Sequence, residues 1–428
     1  MQLPICRLCL YDNGEYMRSV SRRIMAMDTL DKPAYMFCGS LIDGSGGPVL
    51  ERVLITIDNG IIAAIDAGDS KAVLSPDAAD LSDFTILPGL IDCHVHLFMS
   101  GTADLTMRER QLSYTFDEAG PVISHHLDDQ LRHGVVAVRD GGDYGGYALR
   151  FNKELRPGMN NRVSMHCAGR AWHALGRYGR LIGRPPYHGK SLAQSIAASD
   201  EKPDHIKIVN SGINSLTAFG RETLPQFNLD EMTDAVIAAQ QLGLKTMVHA
   251  NGCVPVRIAA LAGCHSIEHG FFMGDENLQL LADRQICWIP TACTMKAYAE
   301  QTAARTREAG IARKNLDHQL GQMRLARQHG VPMAIGTDCG SIGVHHGASF
   351  SEEMKLFIDA GFTIPEVVSC ATSRGARLLG IDREIGVLKT GMQATLVAVK
   401  GSPSALPGSL TQELRVFHKG KRIQFEKG

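Results

Sequence analysis

The stretch Ile86-Leu87-Pro88-Gly89-Leu90-Ile91-Asp92-Cys93-His94-Val95-His96-Leu97 decides how this chain is read. An apolar run ends in two histidines separated by one residue. On a strand, side chains alternate between faces, so His94 and His96 point one way and Val95 the other. Two imidazoles side by side at a strand end can grip one metal ion. The spacing alone is weak evidence: with 17 histidines in 428 residues, composition gives roughly one His-x-His by chance. The weight comes from what surrounds it.

Ahead of the histidines the pattern is β. Residues 35–39 form a short apolar run, and Asp43-Gly44-Ser45-Gly46-Gly47 is a turn cluster. Segments 53–58 and 61–66 flank Asn59-Gly60, a hairpin signal. These strands form a small sheet. Residues 1–33 show no clear period. Cys6 and Cys9 form a lone Cys-x-x-Cys there, weak grounds for a zinc or redox role without a second pair.

Behind them, the pattern becomes strand, loop, helix, repeated. Apolar strands are expected at 90–96, 134–140, 163–168, 205–209, 245–249, 264–269, 286–291 and 332–338. Helical segments such as 229–242, 254–262 and 277–284 lie between them. Regular βα alternation implies a parallel sheet, and eight units imply closure into a barrel. Past Leu379 short β segments return at 386–388, 394–399, 415–418 and 421–425. The expected fold class is α/β: a (β/α)8 TIM barrel with a small composite β domain formed by both chain ends. The expected division is an unplaced extension over 1–33, the first part of the β domain over 34–89, the barrel over 90–380 and the second part of the β domain over 381–428.

Composition narrows the function. A hydrophobic fraction of 44% and a charged fraction of 21% suit an ordinary soluble globular protein. A formal net charge of -1 leaves no electrostatic footprint for nucleic acid or an anionic membrane. No apolar run is long enough to span a bilayer, and the N-terminus lacks the pattern of an export signal. The 11 cysteines are odd in number and scattered, so a disulfide framework is not expected and a reducing cytoplasm is.

Barrel active sites lie at the C-terminal ends of the strands. Strand 1 ends in His94 and His96. Strand 4, His205-Ile206-Lys207-Ile208-Val209, carries a lysine inside an apolar run. Strand 5 ends in His249, strand 6 in His269 and strand 8 in Asp338. On strand 8, Ala334 and Gly336 share the face of Asp338 and leave room beneath a site. Each residue alone has a plainer role: scaffold histidines, a lysine snorkelling to the surface, an aspartate capping a turn. Six such side chains at the right ends of five strands are not explained by those roles together.

This order of ligands resembles the amidohydrolase superfamily in its binuclear, carboxylated-lysine form. The segments Leu87-Pro88-Gly89-Leu90-Ile91-Asp92, Val138-Arg139-Asp140-Gly141-Gly142, Ile267-Glu268-His269-Gly270 and Gly336-Thr337-Asp338 look like that family too. Within it, His205-Ile206-Lys207-Ile208 with Ser211-Gly212, and Gly169-Arg170-Ala171, are most similar to the prolidase-type and Xaa-Arg/Lys dipeptidase branch. Ochratoxin-type N-acyl amino acid amidases are similar to that branch. The resemblance implies two divalent metal ions, zinc being the expectation, and carbon dioxide to carboxylate Lys207. It implies His94, His96, Lys207 and Asp338 on one metal, and Lys207, His249 and His269 on the other. A buried lysine favours the neutral amine that such carboxylation needs. A metal-bridging hydroxide would attack the scissile carbonyl, and Asp338 would pass a proton to the leaving nitrogen.

The expected substrate is a small molecule, a dipeptide or N-acyl amino acid. The segment after strand 3, Gly169-Arg170-Ala171-Trp172-His173 through Arg180, is rich in groups that bind carboxylates. Arg170, His173, Tyr178 and Tyr298 are the candidate substrate contacts. The resembling dipeptidases carry Gly-Gly-His here. This chain has Gly176-Arg177-Tyr178, so that histidine is missing or displaced to His173. Cyclic amide hydrolysis is the alternative chemistry. Deamination is less favoured, because Ala250-Asn251-Gly252 follows His249 where deaminases carry a glutamate. From another class, a metal-free scaffold with a decayed site is opposed by the intact ligand set. A homo-oligomer is left open; no stretch specifies an interface.

Overall fold

The computed structural model describes residues 34–68, 78–158, 163–301 and 306–425. The extension over 1–33, with Cys6 and Cys9, lies outside them. In chain order the strands are β1 (Ala34–Leu41), β2 (Leu50–Asp58), β3 (Ile61–Ala67), β4 (Ala79–Pro88), β5 (Leu90–Val95), β6 (Val135–Asp140), β7 (Ser164–Cys167), β8 (Ala171–Trp172) and β9 (Gly183–Arg184). They continue with β10 (His205–Val209), β11 (Lys245–Ala250), β12 (Ser266–His269), β13 (Cys287–Ile289), β14 (Leu396–Lys400), β15 (Leu414–His418) and β16 (Lys421–Arg422).

A seven-stranded sheet runs in the order β16-β15-β14-β4-β1-β2-β3. β4 lies parallel to β1 and antiparallel to β14, so strands from both chain ends share it. Asn59 (φ 48°) and Gly60 (φ 79°) supply the left-handed pair that a tight β2–β3 turn needs. β4 has no period of two to betray it. A bulge against β1 intervenes: Cys38 pairs with Leu81 but Ser40 with Thr85, so Leu81 and Phe84 fall out of alternation. The expected strand at 386–388 does not form. Gly386 takes φ 103°, and Leu388 makes one main-chain bond, to the Asp43 carbonyl.

The remaining strands are parallel. β5-β6-β7 form one sheet and β13-β12-β11-β10-β8-β9 another. Helices such as Leu229–Gln241 follow them; Asn228 caps that helix with Glu231 in a reciprocal box. The segment 332–338 was expected as a strand, yet it joins its neighbours only by isolated bridges, Met333 to Trp288 and Cys339 to Val95. The cause is diverted donors: the Ile335 N–H goes to the Cys370 carbonyl and the Thr337 N–H to the Asp92 carboxylate. Even so, Cys93 N–H donates to the Ile335 carbonyl at 2.9 Å and Asp338 N–H to the His94 carbonyl at 2.7 Å. Asp338 is thereby tied directly to the histidine strand. Among the described residues no helix is long and apolar enough to cross a membrane.

The helix Phe116–Arg132 is pinned beneath the strand ends. His126 donates from Nδ1 to the Leu97 carbonyl at 2.8 Å, and His346 from Nε2 to the Met99 carbonyl at 2.9 Å. Their rings stack 3.9 Å apart. Burial keeps both imidazoles neutral, His346 being pushed down to about 4. The unfolded chain takes up protons near pH 6.5 while the folded chain does not, so stability is complete above that value and falls as pH drops toward 4. Each imidazole is expected to cost roughly 2 kcal/mol of stability between pH 6.5 and pH 5. Urea unfolding at pH 7.5 and pH 5 checks this; equal midpoints would refute it.

Candidate metal centre and active-site cavity

β5 delivers His94, and His96 follows on the same face. The 332–338 segment brings Asp338 across from them. His94 Nε2 and His96 Nε2 each lie 3.4 Å from Asp338 Oδ1. These three groups could hold a metal ion together. Each imidazole is set by its other nitrogen. His96 Nδ1 is 2.8 Å from the Gly142 carbonyl, which can only accept, so Nδ1 carries the proton. His94 Nδ1 donates to Glu268 at 2.7 Å. Both Nε2 lone pairs are thus left for the centre.

Glu268 is itself held. Arg139 Nη2 donates to it at 2.7 Å and the Ser266 hydroxyl adds a second bond. Arg139 Nε reaches the Cys93 carbonyl at 2.8 Å. Asp92 accepts from the His94 N–H, the Thr337 N–H and the Thr337 hydroxyl, which locks the histidine strand to the Asp338 segment. Asp140 does the same for the Leu97 and Gly142 N–H groups. Asp92, Asp140 and Glu268 of the sequence motifs are therefore braces.

His249 and His269 stand beside this group. Their rings are 4.6 Å apart, and His269 lies 5.0 Å from His94. His249 Nε2 donates to the Gly212 carbonyl at 3.1 Å, and His269 Nδ1 is bonded to the Thr291 hydroxyl at 2.7 Å. Again one nitrogen is anchored and the other is not. Lys207 is 1% exposed, and neither its Nζ nor His94 Nε2 has a hydrogen-bond partner. Buried polar atoms without partners are rare. Two at one strand-end cluster, among anchored imidazoles, fit a site completed by cations. Lysine is no ordinary metal ligand, and a carboxylated Lys207 would meet the need.

Burial dominates the charge states. It lowers all four imidazoles, His96 to about 4 and His249 to about 3, with the Lys207 charge adding to each. Burial also lowers the Lys207 ammonium and raises the Asp338 carboxyl, while each group's charge opposes the other's shift. Neutral imidazoles are lone-pair donors at ordinary pH. The backbone is special here as well. His269 (φ 67°), Thr291 (φ 46°) and Asp338 (φ 59°) all occupy the left-handed region, which costs non-glycine residues energy and clusters at functional sites.

A cavity of about 480 Å³ opens onto His249, His269 and Asp338. Tyr178 and Tyr298 line it, as the sequence led us to expect, and the Tyr178 ring lies 5.4 Å from that of His249. Arg170 and His173 do not. Arg170 Nε is paired with Glu201 at 2.5 Å, and its main-chain N–H faces the same carboxylate. His173 is buried under Gly179, with Nδ1 donating to the Ala174 carbonyl. Neither candidate contact enters the cavity lining: Glu201 takes the guanidinium and the Ala174 carbonyl the imidazole. Arg221, from the loop after β10, lines the cavity and was missed.

The family model described as "Amidohydrolase family" matches residues 85–423. The chain belongs to that family. This amidohydrolase is an enzyme, a hydrolase of amides, and its likeness to the prolidase-like branch holds. It is 22% identical to an ochratoxinase of Aspergillus niger over 97% of this chain and 90% of the fungal protein. It is 25% identical to an imidazolonepropionase of Cupriavidus metallidurans over 81% of this chain and 86% of that protein. Among solved structures, a Xaa-Pro dipeptidase with methionine bound in its active site superposes with a TM-score of 0.78 at 26% identity, covering 92% of this chain and all of the other. The family generally uses divalent metals, in keeping with the His94, His96 and Asp338 group.

Proposed function

We propose that this amidohydrolase cleaves the C–N amide bond of a dipeptide or an N-acyl amino acid, using two divalent cations. The observation that carries this is Lys207: a buried amine with no partner, inside β10 and beside four anchored imidazoles. In this reading residues 90–380 close into an eight-stranded barrel, with 34–89 and 381–428 as the composite β domain. The main-chain bonds that join β5 and β13 through 332–338 support closure. His94, His96, Asp338 and a carboxylated Lys207 would hold one cation; Lys207, His249 and His269 would hold the other. Zinc suits imidazole and carboxylate donors. Nine cysteines among the described residues are unpaired, which suits a reducing cytoplasm.

When bound, the cations supply an acidic water and polarise the scissile carbonyl. The protein's own groups do the rest. Asp338, whose carboxyl burial makes a better base, takes a proton from the attacking water and delivers it to the leaving nitrogen. The Tyr178 and Tyr298 hydroxyls, on side chains that line the cavity, are placed to donate to substrate oxygens. Asp338→Asn is expected to lower kcat by roughly 10²- to 10⁴-fold; a rate within threefold of the parent would remove Asp338 from the chemistry.

A second reading, cyclic amide hydrolysis, draws on the imidazolonepropionase likeness. Deamination draws on nothing: the Asn251 amide after His249 is bonded to the Gly212 carbonyl and the Phe271 N–H. The deciding experiment is a hydrolysis screen of the zinc-loaded protein on dipeptides, N-acyl amino acids and cyclic amides. Release of amino acid from linear amides supports the proposal. Turnover of rings alone replaces it with the second reading.

A further inference from the structure

The substrate cavity needs a group to hold the end of the molecule that is not cleaved, and Arg170 is tied to Glu201. Among the residues lining the cavity, the formally charged side chains other than histidines are Asp338 and Arg221. Asp338 faces the histidines. Arg221 makes no ion pair with a described residue. Glu222, the acid beside it in sequence, already accepts from the Cys253 N–H at 2.8 Å.

The loop that carries Arg221 is fixed at the next residue as well. Thr223 Oγ1 accepts from the Gly212 N–H at 2.7 Å. Gly212 is the residue whose carbonyl orients His249. So the two residues that follow Arg221 are both pinned, the second of them to the same glycine that orients a candidate ligand. A guanidinium so placed offers parallel N–H donors to a carboxylate. Ile213, Phe271 and Met295 also line the cavity and give it apolar surface suited to a bulky side chain on the same amino acid.

The geometry points to Arg221 as the anchor of a free α-carboxylate, and so to substrates whose cleaved amide nitrogen belongs to an amino acid with an unblocked acid and an apolar side chain. This rests on the linear-amide reading above. It predicts that amidation of that carboxylate removes recognition while the scissile bond is unchanged.

The test uses a probe the enzyme cannot consume: N-methylsulfonyl-L-phenylalanine, whose sulfonamide resists hydrolysis, beside its carboxamide. Calorimetric titration gives Kd for both on the zinc-loaded full-length protein, on Arg221→Gln and on Arg221→Lys. The parent is expected to prefer the acid by about tenfold to a hundredfold. Arg221→Gln should lose that preference with unchanged melting temperature and metal content, and Arg221→Lys should keep part of it. Equal binding of acid and amide by the parent overturns the inference, and so does a preference that survives in Arg221→Gln. Preference for the acid without turnover of any linear amide would leave the anchor standing and sink the proposed reaction. Turnover of linear amides without that preference would do the reverse.

Discussion

Lys207→Ala is expected to leave a folded protein with little bound metal and almost no activity. The side chain lies inside β10 between Ile206 and Ile208, both buried. Alanine is tolerated in such a strand, so the fold should survive. What would disappear, on the proposed reading, is the group that both cations share. Without an anion between them, each cation keeps neutral imidazoles and at most one carboxylate, and their mutual repulsion is uncompensated. Metal content should fall from about two per chain to well below one, and kcat/KM by on the order of 10³-fold or more. Elemental analysis beside steady-state rates measures both. Acetate or formate, small enough for the space left by the lysine stem, should restore part of the activity. Retention of full metal and full rate in Lys207→Ala would remove the carbamate from the account.

Arg139→Met tests the brace behind the metal face. Arg139 and Glu268 are buried, 4% and 0% exposed, and paired at 2.7 Å. Removing one member of a buried ion pair leaves an uncompensated charge and costs about 3–5 kcal/mol. The loss reaches the site through Glu268, which accepts the His94 Nδ1 proton. Loosening a carboxylate behind a metal-binding histidine lowers metal affinity by roughly 10–100-fold. The variant should therefore unfold at lower urea and need more zinc for activity. The double variant Arg139→Met, Glu268→Gln removes the stranded charge and should recover stability but not zinc affinity. A single variant within 1 kcal/mol of the parent would show that the pair is not what steadies this face.

The strand-end histidines, Lys207 and Asp338 were legible from sequence because each sits in or after a short apolar run. A period of two then says which face it shares. The same rule failed where that period is broken. β4 is hidden by its bulge against Cys38–Ser40. The 332–338 segment gives two of its N–H groups to Cys370 and Asp92. Loops carry no period at all, so Arg170 looked as available as any arginine until Glu201, 31 residues away, claimed it. Arg221 gave no signal for the same reason. His173 was suggested by its neighbourhood in sequence, whereas its ring turns to the Ala174 carbonyl. For the arginine a long-range pairing decides, and for the histidine the turn of its own backbone; an apolar period reports neither.

The left-handed backbone at His269, Thr291 and Asp338 has a bearing on anyone who engineers this enzyme. Glycine holds such a conformation without the cost that side chains incur there, roughly 1 kcal/mol or more apiece. In metal-free protein, His269→Gly and Asp338→Gly are therefore expected to melt no lower than the parent, and every round of selection for heat resistance alone would be free to keep them. A library sorted that way drifts toward a sturdier fold that hydrolyses nothing. Sorting the same library in the presence of zinc, with melting temperature read against added metal, would hold these positions in place.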